Sequence, residues 1–347
     1  MLTFLSFAGD KRLSGHSPVA VSRDSFRRVR ARRRAVARAG LAAPLAARRA
    51  LVGGQAVIEG VMMRGVSNWS VAVRRPDDSI ALHAYPLVSW MKRHPVLKLP
   101  VVRGVAALGE SLVLGMRALQ ISANESLGEG EPEFSRKEMG VTLFIALAIA
   151  IGLFFLAPLF LTGLFKSYLG EGMLFWITEG LVRVAIFIAY LVLVTRIPDL
   201  RRVFQYHGAE HMSIHALEHD QPLTPENVEK FGTLHVRCGT SFLLVVMVVS
   251  ILVFAIVQWP AWYLLILSRV VLVPLIVGIS YEVIKLAGRH DDNPVVKVVM
   301  APGLALQWLT TKQPDRAQIE VAIVALEKIL ELEPQDAPPE KGVEVMA

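Results

Sequence analysis

Three stretches of this chain leave it little choice of solvent. Residues 139–165 run for 27 positions without an Asp, Glu, Lys or Arg, and residues 241–258 are equally uncharged. Residues 173–194 hold only Glu179 and Arg183. A helix needs about 20 apolar residues to cross the hydrocarbon layer, and the backbone there must satisfy its own hydrogen bonds. A fourth apolar run, residues 263–281, carries a single charge, Arg269. The chain is therefore predicted to be mainly α, a polytopic membrane protein with about four transmembrane helices. Glu179 and Arg183 stand four apart, so on a helix they pair and face the bundle rather than lipid.

Outside these runs the sequence changes character. Residues 1–50 hold twelve Lys or Arg and two acidic residues, and read as a disordered Arg-rich leader or a start placed too far upstream. The remaining residues are net acidic, which excludes a polybasic nucleic-acid binder. One cysteine rules out an internal disulfide and suits a reducing compartment. Residues 51–102 form a small β-containing segment. Trp69–Arg75 and Ile80–Tyr85 alternate about a Pro76-Asp-Asp-Ser79 turn, as a hairpin does. His83 falls in a strand with nothing nearby to make it a ligand. The glycines of Gly53-Gly-Gln-Ala-Val-Ile-Glu-Gly-Val-Met-Met-Arg-Gly65 read as close-packing positions, with Glu59 and Arg64 as charges that can approach a site.

Residues 103–124 have helical apolar periodicity interrupted by Glu110 and Arg117, which predicts an amphipathic interfacial helix; a Gly/Glu/Pro linker follows up to residue 138. After the fourth span, residues 293–308 are apolar but broken by Pro302 and Gly303, so they are expected to lie at the interface. Ile319, Ile323, Leu326 and Leu330 then mark an amphipathic helix over 315–332, packed or partner-binding, and residues 333–347 read as a disordered tail. Basic residues flank one end of each span pair: Arg136 and Lys137, Arg196, Arg201 and Arg202, Lys285 and Arg289. The positive-inside rule then places both termini and the 198–240 connector in the cytosol.

That connector carries the chemistry. His207, His211, His215 and His219 are spaced by four, and His207-x-x-Glu210-His211 has the order of the inverted zinc-protease motif. Pro198 can open a helix and no proline interrupts 199–219, so His207 and His211 stack on one face and can share an ion. Cys238 is the natural third ligand, with His235 a fourth and Glu282 a further possibility. Three protein ligands leave an open position on which Glu210 can act as base; four close the site and make it structural.

These residues also carry a resemblance. Gly53–Gly65, Tyr206-His-Gly-Ala-Glu-His211, His235-Val-Arg-Cys-Gly-Thr-Ser241 and Gly288-Arg289 are similar to the YqhQ-like family of bacterial membrane proteins, over residues 50–332. The resemblance implies a multi-span inner-membrane protein and a metal-dependent enzyme built on His207, Glu210, His211, His235 and Cys238. Met212 and Val236 stand where that family usually has lysine and proline. His215 and His219 lie outside the pattern and are expected at the surface. The expectation is thus a membrane metalloprotein binding zinc or another divalent transition metal, a hydrolase for a membrane-associated substrate. The alternative is a scaffold or assembly factor with a structural metal. Its partners are the lipid bilayer and an unidentified substrate or protein, with no specific nucleic acid.

Overall fold

The computed structural model describes residues 52–127, 135–170, 172–235, 238–257, 262–290 and 293–333, plus a two-residue strand at Val19–Ala20. The rest of the Arg-rich leader, most of the linker, the 258–261 turn and the acidic tail lie outside these residues.

Strands β1 (Gly53–Val57), β2 (Gly60–Arg64), β3 (Asn68–Arg74) and β4 (Ile80–Pro86) form an antiparallel meander. Val19–Ala20 pairs along the outer edge of β4. The hairpin expected around residue 76 is present, with Arg74 opposite Ile80. Period-two alternation sends Val61, Met63 and Ala72 to one face and Met62, Val71 and Val73 to the other. Both faces are covered. The second packs on Leu114 and Ala118 of helix α1 (Val102–Glu125). The first packs on Tyr206, Ala209 and Met212, and on Ile319, Ile323 and Leu326 of the C-terminal amphipathic helix.

Among the described residues, four helices are long and apolar enough to cross a bilayer. One is α1, the least apolar, read from sequence as interfacial because of Glu110 and Arg117. Glu110 is buried and turned toward the sheet: it pairs with Arg64, accepts the Trp90 amide at 2.9 Å, and lies 3.4 Å from Ser89 Oγ. Helix α2 (Arg136–Ile151) continues through a widened π-type stretch, Gly152–Leu156, into Ala157–Gly163. Pro158 explains the irregularity, since it has no amide hydrogen with which to continue the α-helical ladder. Helix α3 (Met173–Val194) holds Glu179 and Arg183 buried and paired to each other. The other side of these helices bares large apolar side chains to the surroundings, among them Phe144, Phe160, Leu181 and Leu193, as lipid-facing helices do.

Helix α4 (Pro198–Glu218) follows α3 directly, as the uninterrupted run after Pro198 predicts. Helix α5 (Gly239–Ile256) is the uncharged span, α6 (Trp262–Arg289) contains the fourth apolar run and extends beyond it, and α7 is Pro294–Thr310. The expected break at Pro302 does not occur: α7 runs through it, with Gly303 set against Ser241. Helix α8 (Arg316–Leu332) starts from a capping box in which Asp315 and Gln318 each accept the other's backbone amide. Its apolar stripe is spent on the sheet, so it is a packed helix.

Candidate metal centre

Helix α4 lies in the groove between the sheet and α8. Tyr206, Ala209, Met212 and Ile214 are buried there, which fixes the rotation of the helix about its axis. The same rotation carries His207, Glu210 and His211 toward residues 233–238 and the end of α7. Gly208 lets the chain after α7 approach: a Cβ there would collide with the Lys312 carbonyl oxygen, and the Lys312 amide donates to Phe204 O at 2.9 Å. The sheet is pinned to α4 through Glu59, whose carboxylate accepts Arg202 Nε and Nη2 at 2.6 Å each and Tyr206 OH at 3.2 Å. Glu59 therefore positions the helix, and Arg64 serves Glu110; neither charge is a site residue. Glu282 is likewise engaged elsewhere, accepting Arg103 Nε at 2.7 Å and the Val101 amide at 3.2 Å.

The ligand atoms of His207, His211 and Cys238 all lie within 4.8 Å of one another. Both imidazoles are oriented by their far nitrogens. His207 Nδ1–H donates to Thr310 O at 2.8 Å and His211 Nδ1–H to Thr233 O at 2.6 Å. A carbonyl can only accept, so each Nδ1 carries a proton and Nε2 is the nitrogen left to ligate, which is how metal-ligating histidines are held. His207 Nε2 lies 3.3 Å from Cys238 Sγ. His211 Nε2 is buried with no hydrogen-bond partner among the described residues, and His211 is 0% exposed.

Cys238 is the residue that caps α5. Its sulfur accepts the Thr240 amide at 3.4 Å and lies 3.1 Å from Thr240 Oγ1. Burial raises the thiol's pKa, and the contacts from Thr240 oppose that rise. Burial pushes the His211 imidazole down to about 4, with His207 adding to the effect, so the ring is neutral at physiological pH. A neutral imidazole is the form in which histidine binds a metal.

Glu210 is 1% exposed, and its Oε1 has no hydrogen-bond partner among the described residues. Burial raises its pKa to about 8, against the lowering effect of His207 and with a further push from Cys238. Gly54 of β1 makes room for it: a Cβ there would fall 2.8–2.9 Å from the Glu210 Cγ, Cδ and Oε1 atoms. Sequence reasoning gave this glycine a packing role without naming what it packs on.

His235, expected with this set, has its ring nearer to Glu218 and His215 than to His211. Its Nε2 lies 3.2 Å from Glu218 Oε2, and its backbone amide and carbonyl are both clamped by the Gln307 side chain at 2.8 Å. Its ring centroid is 5.6 Å from that of His211 and 4.7 Å from that of His215. His219 is at the surface, as expected; His215 is not, being half-buried with Nε2–H donated to Leu234 O at 2.7 Å. The roles of Thr233, Gln307 and Thr310 carry no sequence signal, because two of the three act through backbone carbonyls that any residue supplies.

Fold and site together define a polytopic helical protein in which a His/His/Cys cluster, with a buried glutamate beside it, joins a β-containing body to the first turn of an apolar helix. The family model described as "Protein of unknown function (DUF1385)" matches residues 99–332, and the chain belongs to that family. It is similar to "Uncharacterized protein YqhQ" of Bacillus subtilis (strain 168), with 37% identity over 295 residues that cover 81% of this chain and 92% of that protein. No solved structure matches it.

Proposed function

We propose that this is an integral membrane metalloenzyme, a hydrolase acting on a membrane-associated substrate, with zinc or a similar divalent transition metal held by His207, His211 and Cys238. The observation that carries the reading is the pair of imidazoles whose Nδ1–H groups are spent on carbonyls and whose Nε2 atoms converge with a thiol, one of them buried without a partner. A buried ring nitrogen left unpaired costs stability that a bound cation recovers. The donor set, two imidazoles and a thiolate, is one that zinc uses with an open fourth position. Bound there, the ion supplies Lewis acidity and a local positive charge that favours the ionised form of Glu210. Glu210 Oε1 then takes the proton of an attacking water. Thr310 O and Thr233 O keep both rings in the ligating tautomer throughout. The positive flanks of the spans put this site on the cytosolic face of the bacterial inner membrane, with both termini on the same side.

The burial of His211 and Glu210 supports a second reading, in which the metal is structural and the protein is a scaffold or assembly factor. Metal analysis of the purified protein decides the first step. Stoichiometric metal that is lost in His207→Ala and His211→Ala supports the site, and wild-type protein without metal sinks it. Glu210→Gln separates the two readings. Metal retained with cellular function lost supports the enzyme; metal and full function both retained support the scaffold.

A further inference from the structure

We infer that His215, Glu218 and His235 form a second divalent-cation site, distinct from the His207–His211–Cys238 cluster and resting on different atoms. Their ligand atoms also lie within 4.8 Å of one another. His215 donates Nε2–H to Leu234 O, which leaves its Nδ1 facing Glu218 Oε2 at 3.8 Å. That gap exceeds hydrogen-bond reach. The same Oε2 lies 3.2 Å from His235 Nε2. Two ligands of a tetrahedral ion with bonds of about 2 Å are roughly 3.3 Å apart. The Glu218–His235 pair, hydrogen-bonded in the metal-free protein, is already at that spacing, and a shift of about half an ångström in the His215 ring brings the third ligand to it.

The site is also built in advance. Successive carbonyls, Thr233 O and Leu234 O, fix a ring of each cluster, and the Gln307 side chain clamps the His235 backbone on both sides. His235 is 2% exposed, while His215 and Glu218 each keep a partly solvated edge through which an ion can enter. Two imidazoles and one carboxylate select a borderline transition ion such as zinc, cobalt or nickel; magnesium and calcium prefer all-oxygen cages. The repeat His207-x-x-Glu210-His211 and His215-x-x-Glu218-His219 therefore contributes two sites. In the second, His235 replaces the surface histidine, His219.

Cobalt(II) titration of the chelator-stripped full-length protein in detergent tests this, because only the first site offers a thiolate. The wild type is expected to bind two equivalents, one raising a thiolate-to-cobalt charge-transfer band and one raising ligand-field bands alone. Glu218→Gln and His215→Asn should each lose one equivalent and keep the charge-transfer band, which also certifies that the variants are folded. Cys238→Ser should lose the band and keep one equivalent. Saturation at a single equivalent with the full band, or a Glu218→Gln protein that still binds two, overturns the second site and leaves the first standing. A single equivalent without the band, abolished by Glu218→Gln, does the reverse. No binding overturns both.

Discussion

Replacing Glu210 by glutamine tests whether a neutral carboxylic acid lies beside the ligand cluster in the metal-free protein. Burial raises this group from its ordinary 4.5 to about 8. In the unfolded chain it ionises near 4.5, while in the folded protein it keeps its proton to about 8. The folded state therefore binds more protons in between, and its stability falls as pH rises through that window. From about pH 5 to about pH 8 the loss is three units' worth, about 4 kcal/mol at 1.36 kcal/mol per unit. Glutamine has the same shape and does not titrate, so the variant escapes this slope. His211, lowered to about 4, gives a slope of the opposite sign below its ordinary 6.5, but both proteins carry it and it cancels in the difference. The assay is the thermal midpoint of chelator-treated protein in detergent, wild type against Glu210→Gln, across that pH range. The wild type should lose about 5 °C relative to the variant, since a chain of this length unfolds with an entropy of roughly 0.7 kcal/mol per kelvin. Parallel curves would refute the reasoning, since they would mean that the carboxylate is solvated or already ionised. Saturating zinc should narrow the difference by favouring the charged form.

Gly54→Ala should push the Glu210 carboxylate aside without unfolding the sheet, because the new methyl meets a side-chain end. The expected result is bound metal with lost cellular function, read by metal analysis beside a complementation assay. Gly208→Ala collides instead with the Lys312 backbone and should cost about 1–3 kcal/mol, seen as a lower melting midpoint together with weaker metal retention. Glu110→Ala leaves Arg64 buried and uncompensated at the junction of β2 and α1, and should destabilise by about 3–5 kcal/mol in a denaturation series.

Much of this fold was legible because charge is so costly in hydrocarbon. The uncharged runs at 139–165 and 241–258 gave α2 and α5, and the spacing of Glu179 and Arg183 gave their pairing. Alternation about residue 76 gave the β3–β4 hairpin. What stayed hidden depended on partners distant in sequence. Glu110 marks α1 as partly polar, but only the structure supplies Arg64, from a strand 46 residues earlier. Pro302 reads locally as a break, yet α7 continues through it. At the candidate site, spacing along one helix brought His207, Glu210 and His211 together. It could not divide His235 from Cys238, which stand three apart but face different clusters.

The β-sheet draws its two covers from opposite sides of the membrane-spanning region in sequence. Helix α1 follows the strands directly, whereas α8 is the last described helix; Ser70 Oγ reaches its Ala325 carbonyl at 2.8 Å, and Glu333 Oε1 accepts the Ser67 and Asn68 amides at 2.9 Å. Roughly 230 residues separate β4 from α8, which at about 5–20 residues per second is an interval of about 10–50 s during synthesis. For that time Val61, Met63 and Ala72 are without their final neighbours, and α4 without one of the surfaces that set its rotation. The nascent protein thus receives one face of its core last. A chain arrested after its final span would already hold every histidine, cysteine and glutamate of both clusters and would still lack the clasp that orients α4.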